Sequence, residues 1–494
     1  MNRSSFKINY FRMTLVIYIL LFSALPAFCG TLTLDTNATV AQYFERAKQN
    51  EAALIAFLHK MPKGADLHNH PSGTVYTESL LDNAIRNNLV FDRVEQTFVR
   101  ATSNPSYTAT ELKYEFWKTA EVLDALSMRN NDKDSESGHT RFFRSFERFD
   151  SVMPDNEGML SEIIARAAAQ NISYLELMTP SAAYDLGKME EKIKSLEHAK
   201  QKILAEYAKK GTPVDVEVAY VVALNRGFVP QEMQEPFDES AYANYFRRLT
   251  SNAMQLVASM QDSQVRGITI LSPEDAWFSR NYFELQMKII DEEWRKLSPA
   301  QRKVVRLNLH AGELTLEYSP YEIMRNRISE TIRLGHATRI GHGVSVMWED
   351  NVYELLKKMR DEKIAVEICL TSHEGILKVA GADTHPFRLY WDAGVPVTLC
   401  TDDEGISRSN LTAEFAKAAQ WFNLSYGELK WIAFNNLEYS FIPGESMFKE
   451  GDYNRPKRGG EFPAHSQKAV MQQKLWKAFF DFERQMEQNI KIFE

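Results

Sequence analysis

His68 and His70, in the run KGADLHNH, are separated by one residue. In an extended strand, residues two apart point to the same face, so both imidazoles could reach one cation, and imidazole suits zinc. Alone the pair is a weak signal, since two histidines at a strand end are readily satisfied by hydrogen bonds. It gains weight from residues elsewhere: His310 and Glu313 in NLHAGE, His342 in RIGHG, His373 after ICLTS, and Asp402-Asp403 in LCTDD. His68, His70, His310 and Asp402 together offer imidazole nitrogen and carboxylate oxygen, a donor set suited to a hydrolytic zinc site with room for water. A carboxylic acid at Glu313 could pass a proton to a ring nitrogen. Ala311 and Gly312 would leave room for a planar ring to approach the backbone. Adjacent aspartates more often form a solvated turn or cap a helix. At the end of an apolar strand facing the histidines, Asp402-Asp403 reads instead as a ligand and a neighbouring acid.

Positioning these residues requires a regular scaffold, and the sequence supplies one. Eight apolar, β-branched runs follow in order: KGADLHNH, NISYLELM, VDVEVAYVVAL, VRGITIL, VVRLNLHAGE, ATRIGHGV, IAVEICLTS and VPVTLCTDD. Helical patterns such as MEEKIKSLEHAKQKILAEYAKK and YANYFRRLTSNAMQLVASM separate most of them. Strands alternating with helices predict an α/β fold with a parallel sheet, and eight of them predict a closed (β/α)₈ TIM barrel. Six of the eleven histidines fall within or beside these runs, mostly where strands end. Active sites of such barrels lie at the C-terminal ends of the strands.

The barrel is expected over 61–445, preceded by a helical segment over 30–60 and followed by a loop and helix over 446–494. About 100 residues separate the first two strands, more than one helix needs. Residues 80–155, with a helix predicted over TELKYEFWKTAEVLDAL and a polar break at NNDKDSESG, are expected to form an elaboration or lid rather than an independent domain. Arg3, Lys7 and Arg12 precede the apolar run MTLVIYILLFSALPAF, with Ala27 and Cys29 beyond it. That pattern predicts a signal peptide over 1–29 and a secreted or periplasmic protein, with no stable membrane span once the leader is removed. The sequon Asn37-Ala38-Thr39 matters only in a eukaryotic secretory route. Cys369 and Cys400 would remain as buried free thiols, too few for a disulfide framework. A net charge of −8 argues against a nucleic-acid-binding role, which carries a basic patch. His336 and His385 (the latter placed in the helix after the seventh strand) read as structural groups away from the metal. Trp277 and Phe278 are candidates for the pocket wall or for packing. The N-terminal decoration and the terminal helix are candidates to mediate a homodimer.

The runs MPKGADLHNH, NLHAGE, RIGHG, CLTS and TDD, in this order between Met61 and Asn410, resemble the adenosine deaminase family of amidohydrolases. The leader and the enlarged segment after the first strand look most like its secreted growth factor branch. The resemblance implies one zinc per subunit held by His68, His70, His310 and Asp402. Glu313 would protonate purine N1, His342 would orient the attacking oxygen and assist its proton transfer, and Asp403 would contact that oxygen and the N7 side of the ring. A small-molecule purine nucleoside, adenosine or 2′-deoxyadenosine, would lose its amino group as ammonia. Three departures bear on the pocket. Ser72 stands where the family commonly has an acid that contacts the sugar, and Ser272 replaces a glycine whose N–H faces the purine. TDDEGI replaces the usual TDDP, and His373 occupies a position where the family often has asparagine. The sugar side therefore leaves another aminopurine or a 5′-modified adenosine as the alternative substrate. A non-catalytic secreted binding protein is the third reading, and the intact ligand set weighs against it.

Overall fold

The computed structural model describes residues 34–493 apart from 35, 134–135, 181–184 and 235. The leader expected over 1–29 lies outside the described residues. Eight strands follow one another around a single parallel sheet. They are β1 (Gly64–Asn69), β2 (Ile172–Pro180), β3 (Glu217–Asn225), β4 (Val265–Leu271), β5 (Arg306–Ala311), β6 (Arg339–His342), β7 (Ala365–Ile368) and β8 (Val397–Leu399). Each neighbouring pair is parallel. Every residue of β1, β6, β7 and β8 is buried, as expected of strands covered on both faces. The α/β barrel predicted from the sequence is thus the fold observed.

The seam between β8 and β1 closes the ring by two different means. Past the strand ends, at the C-terminal mouth, the His70 N–H donates to the Asp402 carbonyl at 3.0 Å, and the Asp402 N–H to the His68 carbonyl at 2.9 Å. Deeper in the barrel a side chain replaces the ladder. The Asn436 amide donates to the Ala65 carbonyl at 2.8 Å and the Leu399 carbonyl at 3.1 Å, and accepts from the Leu399 N–H at 3.2 Å. Asn436 belongs to the helix Tyr426–Glu438, started by a capping box between Ser425 and Glu428. Without that amide, strand groups at the seam would be buried unpaired.

The segment between β1 and β2 is richer than its sequence suggests. It carries a small antiparallel sheet of Val90–Asp92, Thr97–Val99 and Ser106–Tyr107, whose strands of two or three residues are too short to show periodicity. The single helix predicted over 110–126 is two, Ala109–Tyr114 and Phe116–Ala125, separated by an extended Glu115. Thr119 Oγ1 takes up the Leu112 carbonyl at that break, and Lys118 bridges Glu111 and Glu115. The segment meets the barrel mouth at named points. The Met128 N–H donates to the Ile406 carbonyl at 2.8 Å, and His139 pairs with Asp275 at 3.2 Å while stacking on Tyr318.

At the N-terminal side, Ala38–Ala47 and Glu51–Lys60 are helices capped by Asn37 and Asn50. Phe44 and Phe57 pack there against Tyr426, and Phe57 also against Phe482 of the terminal helix Gln467–Phe493. The stretch EGDYNRPKRGGEFPAH, expected as a loop, contributes Asp452–Pro456 to a hairpin with Phe448–Lys449. No helix among the described residues is long and apolar enough to cross a membrane. Replacing Asn436 with leucine keeps its bulk but leaves several seam groups unpaired. At about 1–3 kcal/mol for each buried group left without a partner, Asn436→Leu is expected to lower unfolding stability by several kcal/mol. Chemical denaturation followed by circular dichroism measures this.

Candidate metal centre and active site

The predicted ligands converge. The Nε2 atoms of His70 and His310 lie 3.3 Å apart. Asp402 Oδ1 stands 3.3 Å from His70 Nε2 and 3.5 Å from His68 Nε2. Two ligands bonded at ~2.1 Å to one tetrahedral ion are separated by about 3.4 Å, so these spacings fit a single metal. His68 Nε2 is buried without a hydrogen-bond partner, as an atom reserved for a cation would be. The second nitrogens fix the rings. His68 Nδ1 donates to Glu367 Oε2 at 2.7 Å, and His310 Nδ1 lies 3.1 Å from Thr269 Oγ1. Such partners set the tautomer that leaves Nε2 free to bind metal.

Charges around the ligands are balanced by groups that no motif announces. Glu367, in β7, is held between His68 and Arg339, whose Nε lies 2.5 Å from Glu367 Oε1. Arg339 also pairs with Glu176 of β2 at 2.5 Å. Burial alone would raise the Glu367 carboxyl, but Arg339 and His68 hold it down at about 2. Burial opposes charge on Asp402 too, and His68 and His70 outweigh it, keeping Asp402 well below the usual carboxylate range. Ser372 Oγ donates to Asp402 Oδ2 at 2.6 Å and fixes the carboxylate's rotation. Burial and the surrounding imidazoles hold His310 neutral, as a metal ligand must be.

Glu313 is placed by a second buried network. Its backbone N–H donates to Glu274 Oε1 at 3.0 Å, and Glu274 Oε2 accepts from Arg327 Nε at 2.8 Å. Arg226 donates to the His310 carbonyl at 3.2 Å, so one cluster of charges grips both ends of HAGE. Gly312 is required there for its φ of +83°, and an added Cβ would meet Ser345 Oγ at 2.9 Å. It makes this turn, a use that its place in HAGE does not announce. Burial, then the charges of Asp402 and Glu274, push the Glu313 carboxyl well above the ordinary range. Glu313 Oε2 lies 3.8 Å from His342 Nε2. Asp403 is likewise raised by burial and by Asp402, and its Oδ1 is buried without a partner. Gly73 permits that approach, since a Cβ there would fall 1.6 Å from Asp403 Oδ1.

Three site residues adopt positive φ: His342 at +67°, Asp402 at +63° and Ser272 at +120°. The last value suits glycine, and a serine there stores strain. The Ser272 hydroxyl donates to Asn225 Oδ1 at 2.9 Å. Ser72 lines a cavity of about 380 Å³ with Thr179 and Val222. Trp277 is half exposed, while Phe278 packs with Phe237, Tyr242 and Tyr282. His336 bonds Asp291 at 2.8 Å, the structural part expected of it. His373 lies in the helix Leu370–Leu377 and reaches His342. His385 departs from expectation. It precedes the helix Phe387–Asp392 rather than lying in one, and it joins the site through His373. Cys369 and Cys400 are buried and free.

Fold and site together define a metal-dependent barrel hydrolase. A model of the adenosine deaminase family matches residues 112–449, and the chain belongs to that family of metal-dependent aminohydrolases. An adenosine deaminase from Enterococcus faecalis is 33% identical over 146 residues, 30% of this chain, which spans only 40% of that protein. The human N6-methyl-AMP deaminase is 22% identical over 319 residues, covering 63% of this chain and 78% of that protein. Among solved structures, a zinc-bound amidohydrolase from Burkholderia ambifaria superposes with a TM-score of 0.56 at 16% identity, covering 93% of this chain and 97% of that one. An adenine deaminase from Arthrobacter aurescens gives 0.54 at 17% identity, over 84% and 98% of the two chains.

Glu367→Gln removes the charge that orients His68 while keeping its shape. It is expected to weaken metal binding about 10–100-fold, as loss of such ligand-orienting partners does. Competition with a chromogenic chelator measures this.

Proposed function

We propose that this chain is a zinc enzyme that hydrolytically deaminates adenosine or 2′-deoxyadenosine to the corresponding inosine and ammonia. The observation that carries this reading is a buried carboxyl, Glu313, 3.8 Å from His342 Nε2 beside a three-histidine, one-aspartate cluster, with burial and Asp402 pushing it well above its ordinary range. His68, His70, His310 and Asp402 would hold the ion, and the zinc-bound Burkholderia structure of the same fold supports that metal. When bound, zinc supplies the Lewis acidity that makes water a nucleophile near neutral pH.

Everything else falls to the chain's own side chains. Glu313 meets purine N1 and gives it a proton, which withdraws electrons from C6. His342 Nε2, 3.8 Å from Glu313 Oε2, faces the oxygen that adds there. Asp403, with its free Oδ1, is left to meet the N7 edge. The C6 substituent departs as ammonia and the water oxygen stays on the ring, so water and adenosine balance ammonia and inosine. Ser72 takes the sugar side without a charge, and the Ser272 N–H faces the base. Export through the apolar leader and a layout like the secreted growth factor branch belong to the same proposal.

A second reading has one observation in its favour. The cavity beside Ser72 presents Lys188 and Lys192 and no carboxylate, which suits an adenosine carrying an anionic 5′ group. The N6-methyl-AMP deaminases among the relatives support this alternative.

The deciding experiment follows absorbance with the zinc-replete protein on adenosine, 2′-deoxyadenosine, adenine, AMP and N6-methyl-AMP. Adenosine is expected to give inosine. Glu313→Gln should lose about 10²–10⁴-fold in turnover, the usual weight of a general acid, at unchanged zinc content. Turnover confined to the nucleotides would replace the first reading with the second, and an inert protein with zinc bound would overturn both.

A further inference from the structure

His342 opens a line of three buried imidazoles, and the reaction described above does not use the other two, His373 and His385. His342 Nδ1 is 3.1 Å from His373 Nε2, and His373 Nδ1 is 2.8 Å from His385 Nε2. The line ends on a backbone group, the Phe387 N–H, which donates to His385 Nδ1 at 3.0 Å. His342, His373 and His385 are 1%, 0% and 4% exposed.

The last bond sets the direction of the others. A peptide N–H can only donate, so His385 Nδ1 must present its lone pair. A neutral imidazole carries one proton, which places it on His385 Nε2. That proton points at His373 Nδ1, which must accept, so the His373 proton sits on Nε2. By the same step His342 Nδ1 accepts and its proton sits on Nε2, facing Glu313 and the ligand cluster. Neutrality is secured by the surroundings. Burial lowers His385 to about 3, and burial with neighbouring imidazoles lowers His373 well below its ordinary value. His385 also meets Phe422, with ring centroids 5.6 Å apart. Phe387 is the first residue of the helix Phe387–Asp392, where the N–H has no partner within the helix and is free to serve.

We propose that His373 and His385 are positioning residues that lock His342 in the tautomer protonated at Nε2, so that His342 meets the reacting oxygen as a hydrogen-bond donor. In this state Nε2 has no lone pair with which to take a proton from water. The catalytic part of the proposal rests on the deaminase reading above, whereas the tautomer does not.

The test uses zinc-loaded enzyme labelled with ¹⁵N-histidine and long-range ¹H–¹⁵N correlation spectra, which separate the two neutral tautomers. The expected result is a protonated Nε2 and a lone pair at Nδ1 on His342, His373 and His385 alike. His385→Leu should release the lock, so that His342 populates both tautomers. It should also lower kcat about tenfold, the lower end of what such supporting partners contribute, with KM and zinc content unchanged. His385→Gln offers a carbonyl to the Phe387 N–H and an N–H to His373, and should restore both the spectrum and most of kcat. A His342 protonated at Nδ1 in the unsubstituted enzyme would overturn the proposal, as would leucine and glutamine variants that behave alike. If no purine is turned over, the deaminase reading fails, and the spectra still decide the tautomer.

Discussion

The exchange of two backbone hydrogen bonds between His68–His70 and Asp402 governs both the closure of the barrel and the convergence of its ligands. A parallel ladder places opposite residues at fixed spacing, so joining the first strand to the segment after the last brings one carboxylate against two imidazoles. His310 then enters from β5, across the interior. The left-handed backbone at Asp402 and His342 turns both side chains inward at the point where their strands would otherwise leave the sheet. Strain of this kind persists only where surrounding packing over-determines it, and these residues are nearly fully buried.

Around the ligands the interior is charged as well as apolar. Arg339 lies between Glu176 and Glu367, and Glu274 between Arg226 and Arg327, all of them buried. Buried ion pairs add little net stability, because desolvation offsets their attraction. Their value here is directional. The first cluster fixes the His68 ring, and the second fixes the turn carrying Glu313. Glu367 and Glu274 stay charged although buried because guanidinium groups lie beside them, whereas burial drives Glu313 and Asp403 toward the protonated form.

What the sequence disclosed follows from this layering. His68, His70, His310, Asp402 and Glu313 sit at strand ends, within short runs whose spacing carries the chemistry, and they could be read one residue at a time. Their supports could not. Glu367 lies inside a run of apolar residues in β7, Arg339 opens β6, and Ser372 follows a strand end; each acts on a ligand far away in sequence. His385 follows the same rule, since nothing in its local pattern links it to His373 and only the fold brings the two together. The strands of the small sheet after β1, two or three residues long, are too short for alternation to show. Gly312 was evident in the sequence, but the left-handed turn against Ser345 that it makes was not.

Asn436 carries a temporal consequence. It reaches Ala65 from 371 positions further along the chain, so the ring cannot be sealed until the helix that bears it has been made and has docked. Closure of so long a loop is slow, because its entropy is lost before the contact rewards it. Until then Asp402 has no fixed place beside His68 and His70, and an early ion would find only scattered histidines. The metal centre is therefore a late product of folding, and loading with its ion would serve as a report that the chain has finished.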